Sequence, residues 1–211
     1  MFRLSLALAL LLPGLAVGEP AVIVETTAGS FTVDLDAEKA PVTVANFLTY
    51  VDEGAYDGTI FHRVIPGFMI QGGGHKPDMT EVAEKQTILN EAANGLSNAT
   101  GTIAMARTDE IDSAGRQFFI NVADNSRLDH SPLSCTREQV AAVAAAREKG
   151  LAKPLTCKSY GYAVFGRVTA GMDVVHAIEA VATRTHISGN RDVPVEPVII
   201  KSLRREKPLV P

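Results

Sequence analysis

The chain has 211 residues, 46% of them hydrophobic, and 24 acidic against 20 basic residues give a formal net charge of −4. That length suits one well-buried core and is short for two. The acidic balance, with basic residues scattered apart from Lys201, Arg204 and Arg205, excludes the electrostatic footprint of a nucleic-acid-binding surface.

Residues 1–18 carry an early Arg3, run apolar from Leu4 to Leu12 and end on Ala16-Val17-Gly18. The pattern predicts a secretory signal peptide, because the apolar run falls well short of the roughly 18 to 20 residues that span a bilayer. Taking Arg3 away with it leaves 24 acidic against 19 basic residues in residues 19–211, a net charge of −5. The mature chain is therefore expected to be exported and, after cleavage, free of the membrane.

Residues 22–26 and 31–36 predict two strands of a hairpin around Ala28-Gly29-Ser30, with Phe31, Val33 and Leu35 alternating with polar partners. Pro41 suits a first helical turn, and Val44, Phe47, Leu48 and Val51 follow at i, i+3, i+4 and i+7 before Gly54 closes the helix. Residues 60–74 read Ile-Phe-His-Arg-Val-Ile-Pro-Gly-Phe-Met-Ile-Gln-Gly-Gly-Gly and place Arg63 and Gln71 in apolar company. Pro66-Gly67 is a turn signal, so two extended arms can bring a guanidinium and an amide to one apolar hollow.

Residues 75–97 read as loop, and residues 102–106 and 117–122 as strands. Thr136-Arg137-Glu138-Gln139 fits a capping box, and an alanine-rich run to Lys149 predicts a short surface helix stopped by Gly150, with a thin stripe of Val140, Val143 and Ala144. Cys135 and Cys157, the two cysteines of the chain, flank it. In an oxidising compartment a disulfide is favoured over two free thiols. It would contribute roughly 3 kcal/mol by closing a loop of residues 135–157. Residues 162–168 predict a strand, residues 172–182 a helix with Val174, Ile178 and Val181 on one side, and residues 195–203 a closing strand. Many strands, two core helices and no βαβ rhythm predict a mainly β fold, an antiparallel barrel with helices on its ends.

The stretch Phe61-His62-Arg63-Val64-Ile65-Pro66-Gly67-Phe68-Met69 with Gln71-Gly72-Gly73 resembles the signature of the cyclophilin-type peptidyl-prolyl cis-trans isomerases. Gly101-Thr102-Ile103-Ala104-Met105-Ala106-Arg107 followed by Ser113-Ala114-Gly115-Arg116-Gln117-Phe118-Phe119-Ile120-Asn121 resembles the family's next segment. The resemblance is nearest to exported, periplasmic bacterial members and covers residues 21–203 except an insertion at about 131–159. It implies a closed eight-stranded antiparallel β-barrel capped by two α-helices, the extra short helix lying in the insertion. It also implies a monomer acting on proline-containing polypeptides without cofactor or metal.

Rotation about an X-Pro bond makes no new bond, so it needs no nucleophile; it needs a recess for the ring, a donor to the prolyl nitrogen and anchors for the flanking carbonyls. The resemblance gives Arg63 the donor's role, and Phe68, Met69, Phe119 and Leu128 the recess. It gives Gln71 a substrate carbonyl and Ala106, Arg107 and Gln117 the neighbouring groove, with Tyr162 beside it. Many eukaryotic members have Trp where Arg127 stands, an indole that helps bind cyclosporin, so the drug is expected to bind weakly; His where Tyr162 stands and Asn where Arg107 stands bear on which residues flanking proline are preferred. His62, His75, His130, His176 and His186 show no metal-ligand spacing. A proline-peptide binding module with negligible turnover is the other reading of the same groove.

Overall fold

A computed structural model describes residues 19–131, 135–150 and 160–206. The N-terminal strands β1 (Ala21–Thr26) and β2 (Gly29–Leu35) form the expected hairpin. Helix α1 (Pro41–Asp52) begins with proline in its first turn, where a missing N–H costs nothing, and buries Val44, Phe47, Leu48 and Val51. Next come β3 (Ile60–Ile65), β4 (Met69–Gly72), β5 (Thr102–Met105), β6 (Phe118–Asn121), helix α2 (Arg137–Glu148) and β7 (Val164–Ala170). The chain then forms helix α3 (Met172–Glu179), the two short strands β8 (Thr183–Arg184) and β9 (Val193–Pro194), and β10 (Val198–Arg205).

Eight strands close into an antiparallel barrel in the order β1-β10-β3-β4-β6-β5-β7-β2, while β8 and β9 pair separately. α1 and α3 cover its ends. The interior is a filled core, as expected for a barrel of this size. Phe118 sits at its centre, edge-on to Phe47, Tyr56 and Phe61 with ring centroids 5.7, 5.5 and 6.1 Å away. Because successive side chains of a strand point to opposite faces, the wall formed by β3, β4, β6 and β5 has two characters. Val64, Ile70, Ile103, Met105, Phe118 and Ile120 belong to the interior cluster, whereas Met69, Ala104, Phe119 and Val164 form a second cluster on the outer face.

Several elements differ from the sequence expectation. β7 begins at Val164 rather than at residue 162, so Tyr162 stands in the loop before it. α3 ends at Glu179 and buries Val175 and Ile178, with Val174 and Val181 only partly covered. The helix follows Gly171, which is in left-handed backbone (φ 78°). The closing strand starts at Val198, after Pro197, whereas Val195 is exposed. In the exposed basic cluster Arg205 forks onto Asp52 through Nε and Nη2, both at 2.7 Å, and Arg204 pairs with Asp57. In α2 the capping box forms, Gln139 N donating to Thr136 Oγ1 at 3.2 Å and Thr136 N to Gln139 Oε1 at 2.8 Å. Ala144 faces solvent, but Val143 is buried with Ala92, Ile111, Cys135, Tyr160 and Ala163, so the helix is seated more firmly than its thin stripe predicts. The predicted signal peptide and Cys157 lie outside the described residues.

Candidate active site

The Pro66-Gly67 turn folds β4 back on β3 in a register that pairs Arg63 with Gln71, and the next register pairs Gln71 with Phe119. Arg63, Gln71 and Phe119 thus form one cross-strand row on the outer face of the barrel. The turn is tied down: Gly67 adopts φ 67° and donates its N–H to Glu179 Oε1 at 2.7 Å, while Phe68 O accepts from Asn125 Nδ2 at 2.7 Å and from Val122 N at 3.1 Å. Leu128 arrives on a single turn of 3-10 helix, Ser126–Leu128, and its carbonyl accepts the Tyr162 N–H at 3.0 Å. That bond sets Leu128 and Tyr162 side by side.

These segments enclose a hollow of about 100 Å³ lined by Arg63, Phe68, Met69, Gln71, Ala106, Arg107, Phe119, Leu128 and Tyr162. The volume is several times the roughly 30 Å³ of a water and far below that of a drug-sized pocket, so it suits one small ring. Phe119 meets Tyr162 edge-on at 5.7 Å, and the Arg107 guanidinium lies 4.7 Å over the Tyr162 ring. Gln117 is the one sequence-selected residue that does not line the hollow. It stands directly behind, its Oε1 accepting from Gln71 Nε2 at 3.0 Å. Gly74 makes room for it, since a Cβ there would come within 2.4 Å of Gln117 Cδ. A larger depression of about 600 Å³ runs along α1 between Pro41 and Thr49, but beside Asn46, Thr49 and Gln86 its one charged lining residue is Lys85, and no acid, base or nucleophile pair converges there.

Residues 21–205 match the family model described as cyclophilin type peptidyl-prolyl cis-trans isomerase. The chain belongs to this family. It is 46% identical over 183 residues to peptidyl-prolyl cis-trans isomerase A of Dickeya dadantii, covering 87% of this chain and 83% of the relative. It is 47% identical over 183 residues to isomerase B of Escherichia coli, covering 86% and 97%. The fold is similar to that of a Cryptosporidium parvum cyclophilin-type isomerase at a TM-score of 0.67 and 22% identity, covering 90% of this chain and 98% of that one. A structure of the same parasite protein in the presence of the dipeptide Ala-Pro superposes at a TM-score of 0.66 with 22% identity, covering 89% and 99%. The protein is a peptidyl-prolyl cis-trans isomerase.

Sequence reasoning missed the carboxylate beside Arg63 and the buried places of Arg116 and His62 behind this isomerase's groove. Asp192, in left-handed backbone (φ 62°), holds Val64 N through its carbonyl at 2.8 Å and brings its carboxylate 4.0 Å from Arg63 Nε. Its only signal was the turn-like Gly189-Asn190 before it. Arg116, quoted above as part of the motif, points inward and is fully engaged. It donates to Gly73 O at 2.7 Å, Ala83 O at 3.1 Å and Ala55 O at 2.6 Å, and stacks 5.2 Å over Tyr50. His62 is buried against His75, ring centroids 4.3 Å apart, and its Nδ1 has no partner. Burial, and then the neighbouring His75, hold its pKa down to about 3, so the ring is neutral. Burial also lowers the pKa of Arg107. Among the described residues no group of three or more His, Cys, Asp or Glu is placed to hold a metal.

Proposed function

We propose that this isomerase turns X-Pro bonds of exported polypeptides, with Arg63 donating to the prolyl nitrogen as the bond twists. In the planar amide the nitrogen lone pair is conjugated and accepts poorly; halfway through rotation it is localised and accepts well. A guanidinium beside it therefore binds the transition state in preference to either ground state. Phe68, Met69, Phe119 and Leu128 would hold the ring, Gln71 a flanking carbonyl, and Ala106, Arg107, Gln117 and Tyr162 the adjoining chain. The observation that carries this reading is the single small hollow in which Arg63 stands beside an apolar floor and the Gln71 amide. The dipeptide present with the Cryptosporidium relative is of the substrate class assigned here.

Magnitudes limit the arginine's share. An acceleration of 10⁵ requires about 7 kcal/mol, and a hydrogen bond to a charged group nets about 1.5 to 3 kcal/mol. The remainder comes from holding the twisted peptide in a preorganised, water-poor groove.

The same proposal includes an N-terminal signal peptide over residues 1–18, a single isomerase domain over 19–211, a monomer in the periplasm and a disulfide between Cys135 and Cys157. Cys135 is buried, and no cysteine among the described residues is a free thiol. Among the described residues no helix is long and apolar enough to cross a membrane. Cyclosporin should inhibit weakly, because Arg127 stands where an indole helps bind the drug in many eukaryotic members. The test is isomerisation of a proline tetrapeptide and refolding of a proline-limited protein by residues 19–211. Acceleration of both supports folding assistance. Acceleration of neither favours a binding module, and low-nanomolar inhibition by cyclosporin contradicts the role given to Arg127.

A further inference from the structure

The groove of an acidic protein is ringed by arginines, and they are not equivalent. Arg63 faces the Asp192 carboxylate at 4.0 Å. Arg107 donates Nε to Gly161 O at 2.9 Å and Nη1 to Thr108 O at 2.8 Å, and feels the charges of Asp109 and Asp112. Arg127 is exposed and sits over Phe68, its guanidinium carbon 4.8 Å from the ring centroid. Among the described residues no carboxylate reaches ion-pair distance of it. The two acids nearest in sequence are engaged elsewhere. Asp129 accepts from Asn98 N at 2.7 Å and Ser97 Oγ at 2.6 Å, and Asp124 accepts from Ser126 N at 3.0 Å.

The aromatic face helps hold this cation in place, and a guanidinium over such a face still offers its planar fork of N–H donors, which matches a carboxylate. Phe68 is also a wall of the hollow, so that fork is held beside whatever chain leaves the recess. We propose that Arg127 is a specificity-determining residue that selects proline peptides carrying a carboxylate side chain next to the proline. This rests on the reading that the Arg63 hollow holds the prolyl ring. Exposed ion pairs are weak, so with attraction of an acid and repulsion of a base combined, the preference for Glu over Lys is about three- to tenfold in kcat/KM. It is screened by salt, because the Debye length falls from about 30 Å at 0.01 M to about 3 Å at 1 M.

The experiment measures kcat/KM by exchange NMR on two peptide series, with Ala, Glu or Lys placed before the proline in one and after it in the other. Wild type, Arg127→Gln and Arg127→Glu are compared at low and high NaCl. Each ratio is internal to one protein, so the fraction folded cancels. In at least one series the wild type favours Glu over Lys, the ratio shrinks in salt, Arg127→Gln abolishes it and Arg127→Glu inverts it. A wild-type ratio within about twofold in both series, or a ratio that survives both substitutions, overturns the assignment. The alanine peptides separate the two claims. If they are isomerised without charge discrimination, only the role of Arg127 falls; if they are not isomerised at all, the reading of the hollow falls and this assignment with it.

Discussion

The groove wall and the insertion meet at Gly161, yet they are held in opposite ways. The wall is held by backbone register: Arg63, Gln71 and Phe119 are neighbours because three hydrogen-bonded strands put them in one row, and the same strands bury Phe118 on the opposite face. The insertion helix α2 is held by a few long-range side-chain anchors. Arg147 Nη2 donates to Asn90 O at 2.8 Å and reaches Asp112 Oδ1 at 3.3 Å, while Nη1 donates to the Tyr160 hydroxyl at 3.2 Å. Asn90 Nδ2 in turn donates to Gly161 O at 3.1 Å, the carbonyl that also receives Arg107 Nε. A site set by register is rigid and tolerates loss of a neighbour. A site set by anchors is released when one anchor goes.

The largest effect should come from the wall's core. Phe118→Ala removes a fully buried ring packed edge-on against three aromatics and should cost about 3 to 5 kcal/mol, read as a shift of the urea midpoint. A loss under about 1 kcal/mol would mean that the barrel interior is not what fixes the row.

Acid should attack the same wall next. In the unfolded chain His62 takes its proton near pH 6.5, whereas in the folded chain its pKa is about 3. The folded form binds fewer protons between those values, so the contribution of neutral His62 is fully present above about pH 6.5 and is lost as pH falls toward 3. Linkage at about 1.4 kcal/mol per unit gives a loss of about 2 kcal/mol by pH 5. His62→Gln should flatten the stability profile over that window; an unchanged slope would remove His62 as its source.

Releasing the insertion should cost less. Arg147→Ala leaves Asp112 its bond from Asn90 N at 2.8 Å, so the loss should be about 1 to 2 kcal/mol. Hydrogen exchange should quicken in α2, while isomerisation of an Ala-Pro tetrapeptide changes less than about threefold. A tenfold fall in turnover would show that the insertion positions Arg107 and Tyr162, and the contrast between the two regions would disappear.

The same contrast explains what could be read from the sequence. The barrel strands, α1 and the Arg63, Phe68, Met69 and Gln71 constellation were legible because alternation, turn signals and motif offsets are local. The insertion helix was legible too, since Thr136 and Gln139 are three residues apart. Its seat was not, because the partners of Arg147 lie 57 and 35 residues away. Asp192 was passed over for the same reason: its significance lies in the Arg63 side chain it faces. The bond from Gln71 to Gln117 joins residues 46 apart that were each selected, without a sign that they touch.

The most direct measurement separates binding from turnover at Arg63. In exchange NMR with a labelled Ala-Pro peptide, Arg63→Ala should bind with little loss of affinity while the bound-state cis-trans exchange rate falls about 10- to 100-fold, the worth of one charged hydrogen bond made only in the twisted state. Exchange at the wild-type rate, or a loss of affinity as large as the loss of rate, would contradict the account.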